Sequence, residues 1–235
     1  MNKNPGIIGE KIGMTQIFDE KGEVVRCTVV RAGCVVLGKR TLEKDGYSAL
    51  VLALGARRAK TANKPLAGQY KKANQEPKRW VRELRASAEH VAKFEIGQKV
   101  GVDQIFEPGQ FVDAQGITRG RGFSGVFRRW SMAGGVNSHG THEYFRHGGS
   151  IGTNMTPGRT LPGLKMPGQY GNETVSALNL KVAKLIAEDD LVLIEGAVPG
   201  SRGCLVTIRG AIKKKEAGKP SANPRGPMPG EKKKK

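Results

Sequence analysis

Apolar positions along this chain gather in short runs closed by glycine rather than at helical spacing. The stretch 23–33, EVVRCTVVRAG, is rich in β-branched side chains and lies between Gly22 and Gly33. The DEKG before it is a hairpin-turn signal. The pattern repeats in CVVLGKR (34–40) and in YSALVLALG (47–55), and shorter strands are expected in GQKVGVDQIF (97–106) and GQFVDAQGIT (109–118). Beyond residue 173, TVSALNLKVAKLI puts Val175, Ala177 (or Leu178), Leu180 and Val182 near one face, and DLVLIEGAVPG and CLVTIRGAI add two more strands. Short strands with turn signals every eight to twelve residues or so predict a mainly β protein whose strands close into a barrel. Closure would remove exposed sheet edges. Helical signal is thin: ELRASAEHVAKFE (83–95) places Leu84, Ala88, Val91 and Ala92 near one face and predicts a short helix, so the α content is minor.

Two stretches break the strand pattern. Residues 119–172 carry no strand signal for 54 residues, longer than an ordinary loop within a compact domain. Within them, 148–172 holds seven glycines and three prolines, a linker composition, yet Met155, Leu161, Leu164, Met166 and Tyr170 are set among them. Running out and back, two extended legs would reach at most about 90 Å. From 213 onward the chain has no periodicity, four prolines and no aromatic residue, and reads as a basic tail unable to bury a core. The expected organisation is therefore a barrel in two parts, 1–118 and 173–212, interrupted by an irregular internal extension, 119–172, and followed by the tail 213–235.

Charge sharpens this division. Forty Lys and Arg against 21 Asp and Glu give a net +19, which favours a polyanionic partner. Residues 55–85 carry +8, 119–172 carry +6 and 213–235 carry +7, leaving the other 127 residues at −2. The positive charge is segmental, and it coincides with the stretches that read least like a self-contained fold. Candidate RNA contacts in the first segment are Arg57, Arg58, Lys60, Lys64, Lys71 and Lys72. Those in the extension are Arg119, Arg121, Phe123, Arg128, Arg129, Trp130, His139, His142, Arg146, His147, Arg159 and Lys165. Cationic heads neutralise phosphates, and flat side chains offer faces for unstacked bases.

Motifs that suggest other chemistry fail on context. GRGFSG (120–125) matches the dinucleotide fingerprint, but the stretch before it is too polar for a central parallel strand, and arginines follow. HGTHEYFRH (139–147) holds three of the four histidines, yet His142 and His147 are five apart, and a zinc-binding helix needs two on one face. Cys27, Cys34 and Cys204 form neither a disulfide set nor a zinc pattern. There is no nucleophile motif or phosphate-binding loop, so neither a cofactor, a metal, a small-molecule substrate nor an active site is expected. No apolar run approaches the roughly 20 residues of a membrane helix, and the N-terminus lacks a secretory leader, so a cytoplasmic location is expected.

Five motifs in order, GEKIGMTQIFDEKG (9–22), RGFSGVFRRW (121–130), GSIGTNMTPGR (149–159), KMPGQYGNE (165–173) and LIEGAVPG (193–200), closely resemble the bacterial form of the ribosomal protein L3 family. The resemblance spans about residues 6–212. It implies a barrel similar to that of translation factors and a structural role in the large ribosomal subunit. It also implies direct contact with large-subunit rRNA early in assembly, neighbouring ribosomal proteins packed on the globular part, and an extension aimed at the peptidyl transferase centre. By motif matching, Thr153 to Pro157, with Asn154, Met155 and Thr156, would form its tip, and Gln169 would lie on the returning leg. Some family members carry a methylated glutamine where this chain has Met155, so that modification is not expected here. The lysine-rich tail exceeds the family's usual end.

Two other readings compete. A DNA-binding architectural protein would share the charge, but would more naturally show a dimeric design with wedges for the minor groove. An RNA-modifying enzyme would need the cofactor loop or catalytic cluster that failed above.

Overall fold

The computed structural model describes residues 4–19 and 21–214. Among the described residues, twelve strands and four short α-helices follow one another. First come β1 (Gly6–Phe18), β2 (Val24–Arg31) and β3 (Cys34–Arg40), then α1 (Leu42–Asp45) and β4 (Ala49–Ala56). Next are α2 (Lys64–Lys72), β5 (Lys78–Arg85), α3 (Ala88–Ala92), β6 (Lys99–Val100) and β7 (Phe111–Ile117). The extension contributes β8 (Phe123–Ser124), α4 (Val126–Trp130) and β9 (Gly168–Gln169). The chain then returns through β10 (Thr174–Ile186), β11 (Leu191–Glu195) and β12 (Leu205–Gly210).

Six strands close into a barrel in the order β1-β12-β7-β10-β11-β2, every neighbouring pair antiparallel. The reason is legible in the strands. In β12, Val206, Ile208 and Gly210 are buried while Leu205, Thr207 and Arg209 are only partly covered, the period of two that a one-sided core demands. Ile8, Val30, Val112, Val182, Val192, Ile194, Val206 and Ile208 are fully buried. Burying each such side chain contributes about 1.5–3 kcal/mol. The expected turn at DEKG joins β1 to β2, with Gly22 N–H donating to Asp19 O at 2.8 Å and Phe18 opposite Val24.

The structure departs from the sequence pattern in four places. The runs at 34–40 and 47–55 do not enter the barrel but form a second sheet, β5-β4-β3-β6. Its Leu50, Leu52, Leu54, Leu84 and Val100 join the barrel's own apolar cluster in one continuous core. Local alternation cannot say which sheet a strand joins, because pairing is set by distant partners. The helix expected over 83–95 shrinks to α3, since 78–85 pairs with β4 as β5; the Ser87 hydroxyl caps α3 by accepting from His90 N–H. The strand expected over 97–106 is only β6. β10 is not a regular strand: it has a one-residue bulge between Ala177 and Leu180, with Asn179 at φ +57°. The bulge keeps Val175, Ala177 and Leu180 opposite Gly116, Ala114 and Val112 on the expected single face, along which Val182 is buried and Val175 exposed.

All three cysteines are free thiols. Cys34 is fully buried and donates to Ile8 O at 2.8 Å; burial pushes its thiol up to about 12. The basic tail expected from 213 lies outside the described residues, except for Lys213 and Lys214.

Candidate nucleic-acid interface

The extension leaves the barrel as a continuation of one of its strand pairs. β7 and β10 run antiparallel up to Ile117 opposite Thr174, and the ladder does not stop there. Thr118 N–H donates to Glu173 O at 2.9 Å, Arg121 N–H to Tyr170 O at 2.8 Å and Tyr170 N–H to Gly122 O at 2.9 Å. β8 and β9 then pair Phe123 with Gln169 and Ser124 with Gly168. Gly171 makes this neck possible: it sits at φ +74°, and a Cβ there would run into the Arg119 carbonyl. The two legs are thus zipped at the root, with more local structure than their composition predicts.

Farther out, aromatic and cationic side chains hold the legs together. α4 carries Arg128, Arg129 and Trp130; Arg129 Nη1 and Trp130 Nε1 both donate to Met166 O on the opposite leg, at 3.0 and 2.9 Å. Guanidinium groups lie over rings at three places: Arg121 on Tyr170 (5.0 Å), Arg129 on Trp130 (4.9 Å) and Arg146 on Phe127 (4.0 Å). Lys165 Nζ approaches Trp130 at 5.9 Å. Between the legs lies a cavity of about 590 Å³ lined by Val126, Met132, Ile151, Leu164 and Met166 among others. That explains part of the apolar content of the glycine-rich stretch: Leu164 and Met166 turn toward the opposite leg.

A 3-10 turn, His142–Arg146, brings Tyr144 edge-on to His147 at 4.8 Å, with His139 and His142 at positive φ nearby in sequence. The three histidines are exposed and spread along an irregular turn. Farther along the extension, Asn154, Met155, Thr156 and Arg159 are exposed, Met155 to 91%, and Thr153 Oγ1 donates to Thr156 O at 2.6 Å. Phe123 is 79% exposed on β8.

The candidates in 57–72 sit elsewhere, on the connection between β4 and β5. All six are exposed. Arg57 is partly engaged, donating to Thr61 O at 2.7 Å, whereas Lys71 and Lys72 close the last turn of α2, where cations complement the helix dipole. GRGFSG has a buried strand before it and a helix after it, but β7 is antiparallel to both neighbours and α4 is only five residues long. The parallel unit that cradles a pyrophosphate is not formed.

Electrostatically the extension is uncompensated. Among the described residues the ion pairs are Arg40–Asp45, Arg40–Glu83 and Lys99–Asp190, and none involves a cation of 119–172. No helix among the described residues is long and apolar enough to cross a membrane.

A sequence profile of the ribosomal protein L3 family matches residues 80–190. A protein of Sorangium cellulosum named large ribosomal subunit protein uL3 is 75% identical over 215 residues, covering 92% of this chain and 93% of its own. The chain belongs to the ribosomal protein L3 family. Proteins of the same name from Myxococcus xanthus (49% identity; 88% and 93% coverage) and Thermotoga petrophila (48%; 87% and 96%) are similar along nearly their whole length. In this L3 chain, residue-type reasoning overlooked Trp80, with Arg79 4.3 Å over its ring, and Arg202, on the loop before β12. Arg79 was legible within the basic segment 55–85; Arg202 was not, because it is a single cation in a neutral region.

Proposed function

We propose that this chain is a structural constituent of the large ribosomal subunit that binds its rRNA directly and performs no chemistry of its own. Membership of the L3 family carries the reading, and the chain's similarity to proteins named as large-subunit components supports a structural, non-enzymatic role. The rRNA contact rests on the uncompensated cations and exposed rings of 119–172. Arginine and lysine neutralise phosphates and release counterions, an affinity that falls steeply with salt. The extension orders on rRNA and runs toward the peptidyl transferase centre with Asn154 and Met155 at its tip. The barrel, similar to that of translation factors, receives neighbouring ribosomal proteins. Early rRNA binding then nucleates assembly, and the lysine-rich tail adds rRNA contacts. The protein acts within the ribosome, in the cytoplasm.

Sedimentation of a cell lysate tests this. The chain is expected to travel with large subunits and to leave them as salt rises. Travel with chromosomal DNA, or free migration, would refute the reading in favour of an architectural or soluble role.

A further inference from the structure

At the root of the extension lies a second cationic feature, on the barrel itself. β1 bulges between Lys11 and Gly13, and a cavity of about 430 Å³ opens beside the bulge. Three cations from distant parts of the chain line it: Lys11 from β1, Arg119 from the first residues of the extension and Arg202 from the loop before β12. No carboxylate lines it, and among the described residues none of the three cations is in an ion pair.

Each cation is placed differently. Lys11 is buried, and its ammonium is fixed by donating to Val198 O at 2.6 Å and Gly200 O at 3.1 Å. Burial, and further the Arg119 charge, pull this amine below the ordinary lysine range. Arg202 donates from Nε to Ile12 O at 2.9 Å, so the bulge carbonyl anchors the guanidinium by one edge. Its remaining N–H groups form the fork that matches a phosphate. Arg119 is exposed and lines the cavity from the start of the extension. Like charges lining one cavity whose walls carry no carboxylate repel one another, and an anion seated among them relieves that repulsion.

We infer that this cavity is a phosphodiester clamp, in which Arg119 and Arg202 grip one phosphate of an RNA strand beside the Lys11 charge where the extension meets the barrel. The inference rests on the rRNA-binding reading and deepens it, since Lys11 and Arg202 lie outside every basic segment of the sequence. A clamp here would fix the root of the extension on RNA while the tip reaches onward. The volume lies within the range of small-ligand sites, room for a phosphate with its flanking sugar.

The test is binding of the full-length chain to large-subunit rRNA across a series of potassium chloride concentrations, with wild type, Arg119→Gln, Arg202→Gln and the double variant. Each single variant should reduce the steepness of the salt dependence by part of a unit in log–log slope, because the other arginine still faces the phosphate. It should also weaken binding roughly tenfold at fixed salt, the scale of one charge-assisted hydrogen bond. Because both arginines hold the same phosphate, the double variant should lose about 1 in slope in total rather than about 2. An unchanged slope in the double variant would overturn the clamp, and so would a double variant that loses about 2, the loss expected for two separate phosphates. Thermal unfolding separates a structural effect: Arg119, whose side chain braces nothing, should unfold like wild type when changed. If Arg202→Gln loses affinity only in step with stability, the arginine merely braces the bulge and the clamp is wrong. If wild type itself fails to bind rRNA in a salt-dependent way, the underlying functional reading fails first, a result distinct from either.

Discussion

Asp113 offers the sharpest test of how the barrel carries the extension. It lies on β7 and is 92% removed from solvent, with 8% exposure. Its Oδ1 accepts from Asn179 N–H at 2.9 Å and its Oδ2 from Ile212 N–H at 3.1 Å. The first of these amides sits in the bulge of β10, where the ladder to β7 is interrupted. The second lies just past the end of β12. One carboxylate therefore replaces two backbone partners lost on two strands. Asp113→Ala leaves both amides without an acceptor, at about 1–3 kcal/mol for each buried donor. Ile212 is 54% exposed, so water can reach that side, and the expected loss settles near 3 kcal/mol. At roughly 2–4 °C per kcal/mol for a chain of this size, the melting temperature should fall by about 6–12 °C. Urea unfolding should show a lower midpoint with an unchanged slope. Asp113→Asn should fall between, because its amide keeps one acceptor oxygen and turns N–H groups toward the other donor. An Ala variant within about 0.5 kcal/mol of wild type, the range of a neutral surface change, would refute the reasoning.

Other expectations follow from the same geometry. Gly171→Ala should strip amide-exchange protection from Arg121 and Tyr170 while leaving β1 and β12 protected, because the added Cβ meets the Arg119 carbonyl at the neck; unchanged exchange would sink that account. Cys34 makes stability pH-dependent on the alkaline side: its folded thiol titrates near 12 against an ordinary 9.0, so the unfolded chain loses the proton first. Its contribution is whole below pH 9.0 and declines above it by up to about 1.4 kcal/mol per unit, and Cys34→Ala should flatten that limb of a denaturation-versus-pH series. Met155→Ala should leave the melting temperature within error, since the side chain is 91% exposed, and affect peptide-bond formation by reconstituted subunits more than their assembly. A melting shift, or an assembly failure with a normal catalytic centre, would count against a tip position.

Much of this was legible in residue order. The strands at 24–31, 111–117, 191–195 and 205–210 announce themselves by apolar runs with β-branched residues and a glycine at or near their ends, and 174–186 by its spaced apolar positions before the acidic turn 188–190. A half-buried strand needs alternate apolar positions, and its turns need glycine or polar residues. Segmental charge marked the extension, since stretches rich in glycine and arginine cannot bury a core of their own. The thirteen-residue β1 was harder to see, because its glycines and charges interrupt the alternation, and the barrel strands on either side of it supply what its own pattern lacks.

The sequence by itself determined where strands can form, where the chain cannot fold on apolar burial alone and where positive charge is concentrated, for those properties are local. Only the tertiary structure decided that 34–40 and 49–56 leave the barrel for a second sheet, and that β7 and β10 continue outward as the neck. It alone decided that Lys11, Arg119 and Arg202 share one cavity. Such outcomes depend on strand pairing and loop closure between residues as much as 191 positions apart, as from Lys11 to Arg202, and no local pattern encodes that proximity.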